Sequence, residues 1–138
     1  MADAPIFSAV RVKKISGIRS LQSIEAHGRR EDNASAKRCD ASRIDDNIAR
    51  SNVTDPLAVV EAFRQRKADT KATEYKGAPL GIHVLCVVSP EWISAAGDLH
   101  DPNNRRNTAL FNAANKWAEE KFGKGSVIAS RMGMDEAG

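Results

Sequence analysis

Aromatic residues are scarce in this chain, at 5% of its 138 residues. A core made without them rests on Val, Ile, Leu and Ala, so burial is modest and stability marginal. Cysteine is nearly absent as well. Cys39 and Cys86 show no paired spacing and follow no secretory leader, which predicts free thiols and a cytoplasmic location. Long apolar runs are missing too. The longest, Val84 to Val88, is far too short to span a bilayer, and no basic amphipathic stretch is apolar enough to lie on one, so no membrane role is expected. With no repeat, no low-complexity segment and no room for a second core, residues 1–138 read as one domain.

What is present is charge, unevenly spread. Residues 1–50 hold 10 basic and 7 acidic side chains, while residues 51–138 hold 11 of each, so the net charge of +3 lies wholly in the first part. Arg11 to Arg43 alone carries 9 basic against 4 acidic residues. Such a concentration suits a phosphate backbone, the plainer alternative being a solvated basic face.

The patterning alternates strands and helices. Ile6 to Val12 is apolar on both faces and predicts a buried strand. Ile18, Leu21, Ile24 and His27 recur every three residues, predicting a helix that Ser16 or Ser20 starts and Gly28 ends, with His27 at its exit. From Arg29 to Asp46 nearly every residue is polar, which predicts an exposed loop, ordered only if something holds it. Asp55-Pro56 predicts a helix start, with Leu57, Val60 and Phe63 on its apolar face as far as about Ala68. Ile82 to Val88 is the strongest strand, closed by Ser89-Pro90; Asp98 to Arg106 is a turn or helix approach. Thr108 to Phe122 is the best helix, stopped by Gly123, and Ser126 to Met132 a last strand. The order predicts an α+β domain with an antiparallel or mixed sheet covered on at least one face by helices.

Four stretches, taken in order, carry a resemblance. Val10-Arg11-Val12-Lys13-Lys14 is a basic opening strand; His27-Gly28-Arg29-Arg30 is similar to an H-N-x-R signature with Gly28 in place of Asn; Asp40-Ala41-Ser42-Arg43 with Asn47 is similar to N-x-S-R-x-x-x-N. The fourth runs from Asn115 through Phe122-Gly123 and a strand to Met134-Asp135-Glu136. Together they resemble the N-terminal domain of the plasmid mobilisation relaxases, the Mob/Pre or plasmid recombination enzyme family.

The resemblance implies a relaxase-like (HUH endonuclease-like) fold and a protein that recognises a transfer origin and nicks one DNA strand. It implies His27 as the catalytic nucleophile and Arg30 as a phosphate-binding partner. Without it, His27 reads as a helix-terminal histidine facing the last carbonyls. Arg29, Lys37, Arg38, Ser42, Arg43 and Asn47 become the expected DNA contacts, with single-stranded or hairpin DNA as partner. The family motif H-x-D-E-x-T-P-H-x-H holds a divalent metal, Mn or Mg, through three histidines. Aligning Asp135-Glu136 to its D-E places Gly133 at the first histidine, and Gly138 comes before the other two. The expectation is therefore no metal site within the chain, Asp135 and Glu136 being remnants of one, and no other cofactor. Either a nicking enzyme that has been truncated or has diverged, or a non-catalytic nucleic-acid-binding or interaction subunit on the same fold, fits these residues. A structural subunit that contacts no nucleic acid is a third reading.

Other candidates point elsewhere. His83 and His100 have no ligand spacing and read as structural or solvated, Cys39 as an inert surface thiol, and Cys86 as core. Tyr75 reads as a loop residue and Trp117 as part of a packed helix face, although Trp92 and Trp117 could each stack on a base. Gly77 to Gly81 lacks the Lys-Ser/Thr of a phosphate loop.

Overall fold

The computed structural model describes residues 9–134 and is an α+β structure with two small antiparallel sheets. The first sheet pairs β1 (Ala9–Ile15) with β3 (Gly81–Val87), in a register that sets Val12 opposite Val84 and Lys13 opposite His83. The second pairs β2 (Ile48–Ser51) with β4 (Ala129–Met132), Ala49 lying opposite Arg131. Helices α1 (Ile18–Gly28), α2 (Asn33–Arg38), α3 (Val59–Thr70), α4 (Pro90–Ser94) and α5 (Arg105–Phe122) connect them. Within the described residues no helix is long and apolar enough to cross a membrane.

The first strand is found at Ala9–Ile15, three residues further along than Ile6 to Val12; residues 6–8 lie outside the described part. It is not buried. Val12 is 54% exposed and Leu85, on the paired strand, 51%. Apolar composition on both faces predicts cover on both faces, but a two-stranded ribbon has too few neighbours to supply it. Cys86 is for the same reason only half-buried, not core. The residual burial still raises its thiol pKa.

Polar side chains explain the elements that periodicity misses. The stretch Arg29 to Asp46 is not a loop: it holds α2 and a 3₁₀ helix, Ala41–Asp46. Asp32 caps the first by accepting the Ser35 N–H at 3.2 Å, and Asp40 caps the second by accepting the Ser42 N–H at 3.0 Å. Asp55-Pro56 does not open a helix but a turn, in which Asp55 accepts the Leu57 N–H at 2.9 Å. Helix α3 starts after Ala58, and the Val60 N–H is taken by Glu25 Oε1 of α1 at 3.1 Å. An N-terminal donor that its own cap residue leaves open is satisfied by the neighbouring helix, which fixes α1 against α3.

The core is small. Val88, Ile93 and Leu110 form its centre, with Trp92, Leu99 and Met132 packed around them. Two buried amides tie α4 and the 98–101 turn to the start of α5: Asn104 Nδ2 donates to the carbonyls of Ile93 and Asp98, both at 3.0 Å, and Asn107 Nδ2 to those of Leu99 and Asp101, both at 2.9 Å. Trp92 lies under the Arg106 guanidinium, 4.9 Å from its ring centre, and Trp117 packs edge-on to Phe122.

Candidate phosphate-binding site

The helical period of Ile18 to His27 brings His27 to the last turn of α1, and the chain reverses immediately after it. Arg30 adopts φ 59°, a left-handed conformation that an ordinary side chain enters at a cost of about 1–2 kcal/mol. The reversal folds its guanidinium back on the histidine. Arg30 Nη1 lies 3.1 Å from the His27 carbonyl oxygen and 3.3 Å from His27 Nε2. Backbone strain at such a position marks a place where the surrounding structure holds a geometry it would not otherwise take.

The opposite edge of the ring meets α2. His27 Nδ1 is 3.0 Å from Asp32 Oδ2 and 3.2 Å from Ser35 Oγ. The Ser35 bond, then the one from His27, draws the Asp32 carboxyl down to about 2, so it is ionised and only accepts. Arg30 can only donate. An acceptor at Nδ1 and a donor at Nε2 together select the neutral tautomer with its proton on Nδ1 and a lone pair on Nε2. Ser35, 2% exposed, locks the arrangement from below.

Beyond this first ring of contacts lies more positive charge. Lys13 and His83 are register partners on the first sheet, and a Cβ on Gly28 would sit 3.7 Å from Arg131 Cδ, so the arginine stem passes over the residue next to His27. Partial desolvation lowers the pKa of His83, and the charges on Arg131 and Lys13 lower it further. Three elements distant in sequence thus bring cationic groups towards one imidazole. A planar guanidinium fork in a cationic setting can donate to an anionic oxygen, while the acceptor nitrogen beside it holds the guanidinium in place.

The remaining predicted site residues fall in two groups. Lys37 and Arg38 are exposed in the last turn of α2, the helix that carries Ser35 and is capped by Asp32. Arg29, by contrast, donates to Asp55 Oδ2 at 2.7 Å and to Glu25 Oε2 at 3.3 Å, which raises its own pKa and lowers that of Asp55. Ser42 Oγ donates to Asp40 at 2.6 Å, and Arg43 Nε is 3.5 Å from the same carboxylate. Asn47 Oδ1 accepts the Met134 N–H at 2.6 Å and so anchors the end of the described chain. Arg29, Ser42 and Asn47 therefore already serve internal contacts.

Asp135 and Glu136 lie outside the described residues. Among the described residues no group of three or more His, Cys, Asp or Glu side chains could hold a metal ion.

Asp32 and Ser35 escape a search for catalytic motifs, though Asp followed three residues later by Ser carries a helix-cap signal. His83 and Arg131 carry no local signal at all, because only strand pairing brings them to the site. No family model, curated protein or solved structure matches the chain.

Proposed function

We propose that the chain is a DNA-binding module of the plasmid mobilisation relaxase type, a relaxase-like domain acting in the cytoplasm, and that it seats one backbone phosphate on the Arg30 guanidinium, which His27 positions. The observation that supports this is the two-sided clamp on the imidazole. Asp32 and Ser35 hold Nδ1, so Nε2 keeps its lone pair for an Arg30 N–H and orients the guanidinium. A phosphate entering there takes the guanidinium in bidentate fashion, while Lys37 and Arg38 on α2 receive flanking phosphates of a single-stranded or hairpin substrate. Arg43 reaches the same strand only by loosening its pairing with Asp40.

Fluorescence anisotropy with a labelled hairpin oligonucleotide, repeated from low to high salt, tests the reading. Each phosphate contact removed lowers the slope of log affinity against log salt by about 0.7 for a single strand. The double variant Lys37→Ala, Arg38→Ala is expected to lose about twice that. Unchanged affinity and slope in this variant and in Arg30→Ala would overturn the proposal.

A further inference from the structure

A cleft of about 790 Å³ separates the two sheets. Side chains alternate along a strand, so a cavity on one face of a sheet touches every second residue. Here every residue from Leu80 to Cys86 and every residue from Ser126 to Gly133 lines the cleft, whereas β1 contributes Ile15 alone and β2 nothing. Consecutive lining means that the cleft runs along the edges of β3 and β4, with β1 and β2 behind them. Each sheet ends there, since neither has a third strand among the described residues. Two strand edges face each other across a gap that no strand fills, a ready template for pairing.

Two further observations say what the gap suits. The hydroxyls of Ser126 and Ser130, both on its wall, are buried without a hydrogen-bond partner. Its charged lining is Arg66, Lys67 and Arg131 against one acid, Glu74, which Lys67 already pairs, with the neutral imidazole of His83 beside them. The rest is mainly apolar, with Leu21, Phe63 and Phe111 prominent.

We infer that the cleft receives an extended polypeptide strand from a partner, paired by its main chain with β3 on one side and β4 on the other. Such a strand has apolar side chains facing Phe63 and Phe111 and carries an acidic residue for Arg131. Main-chain pairing supplies affinity, and the alternating side chains supply selection. A strand of about five or six residues, the usual length, matches the seven residues of β3. This inference does not depend on DNA binding.

The probe is a synthetic seven-residue peptide alternating Val and Thr around a central Glu, added to the full chain. Amide hydrogen exchange at 81–86 and 129–130 is expected to slow about tenfold or more. The same peptide N-methylated at alternate amides is expected to bind at least about tenfold more weakly, because it cannot pair along one edge. Leu85→Glu, at an exposed position that folding tolerates, is expected to weaken the unmodified peptide by a similar factor with an unchanged circular dichroism spectrum. Equal binding of the N-methylated peptide, or no slowing at β3 and β4, would overturn the inference. So would protection without peptide in a sample that sediments as a dimer, which would assign the gap to a second copy. Binding of octanoate that displaces the peptide while leaving these amides unprotected would assign it to a small amphiphile.

Discussion

Arg30 offers a way to separate a backbone effect from a side-chain effect at one position. Its φ of 59° crowds any Cβ against the following carbonyl, at about 1–2 kcal/mol, and glycine escapes that cost. Arg30→Ala and Arg30→Gly both remove the guanidinium from His27 Nε2 and from the His27 carbonyl. Only alanine keeps the crowding. Glycine returns part of its advantage, about 0.4–1 kcal/mol, through the greater freedom of its unfolded chain. The net difference favours glycine by about 0.5–1 kcal/mol, which in a chain of this length is about 2–4 °C in melting temperature. In DNA binding the two variants are expected to agree, each losing about 0.7 from the salt slope on a single strand. Thermal melts and salt-dependent anisotropy on both proteins read the two effects independently. If alanine melts at or above glycine, the left-handed conformation is not what shapes this turn. If glycine keeps the wild-type slope, the guanidinium does not meet phosphate.

Three other outcomes follow from named contacts. Asp32 titrates at about 2, below the ordinary carboxylate value near 3.9, so its contribution to stability is complete above that value and is lost as pH falls through about 2; urea melts between pH 5 and 2 are expected to show a shallower acid loss in Asp32→Asn. Asn107→Leu leaves the Leu99 and Asp101 carbonyls without their buried donor and is expected to cost about 2–4 kcal/mol in urea unfolding, a value below about 0.5 kcal/mol contradicting the clamp. Chelation is expected to leave hairpin binding unchanged, and incubation with Mn²⁺ or Mg²⁺ to give neither nicked plasmid nor a His27–phosphate adduct by mass spectrometry; an adduct that chelation abolishes would reveal a metal site outside the described residues.

The elements legible in the sequence are those whose period carries them. Helix α5 and strand β3 follow from the spacing of Leu110, Phe111 and Ala114 and from the apolar run of Ile82 to Val88. His27 at the exit of α1 follows from the same logic. Helix α2 was not legible as a helix because hydrophobic periodicity is silent in a stretch as polar as Asn33–Arg38, where a carboxylate cap sets the start. Strand β2 is four residues with Arg50 in the middle, too short for alternation to be read. Asp55-Pro56 misled for a different reason: the cap geometry is there, but it closes a turn, and Glu25 supplies the helix cap from elsewhere in the chain.

The same division explains the site. His27, Arg30, Asp32 and Ser35 span nine residues and need only the end of α1, one left-handed residue and one capped turn to meet, so their geometry is set locally. Lys13, His83 and Arg131 reach it only through pairing of the first sheet and packing of β4, contacts that close long loops and carry the larger entropic cost. The tautomer of His27 is therefore fixed by short-range contacts, while the positive field around it depends on the placement of two thin sheets. The amides of Asn104 and Asn107 do not line the gap between those sheets, although Leu110 of the core does. Arg131 and His83 line the gap and His27 does not, so a ligand there meets the field before it meets that imidazole.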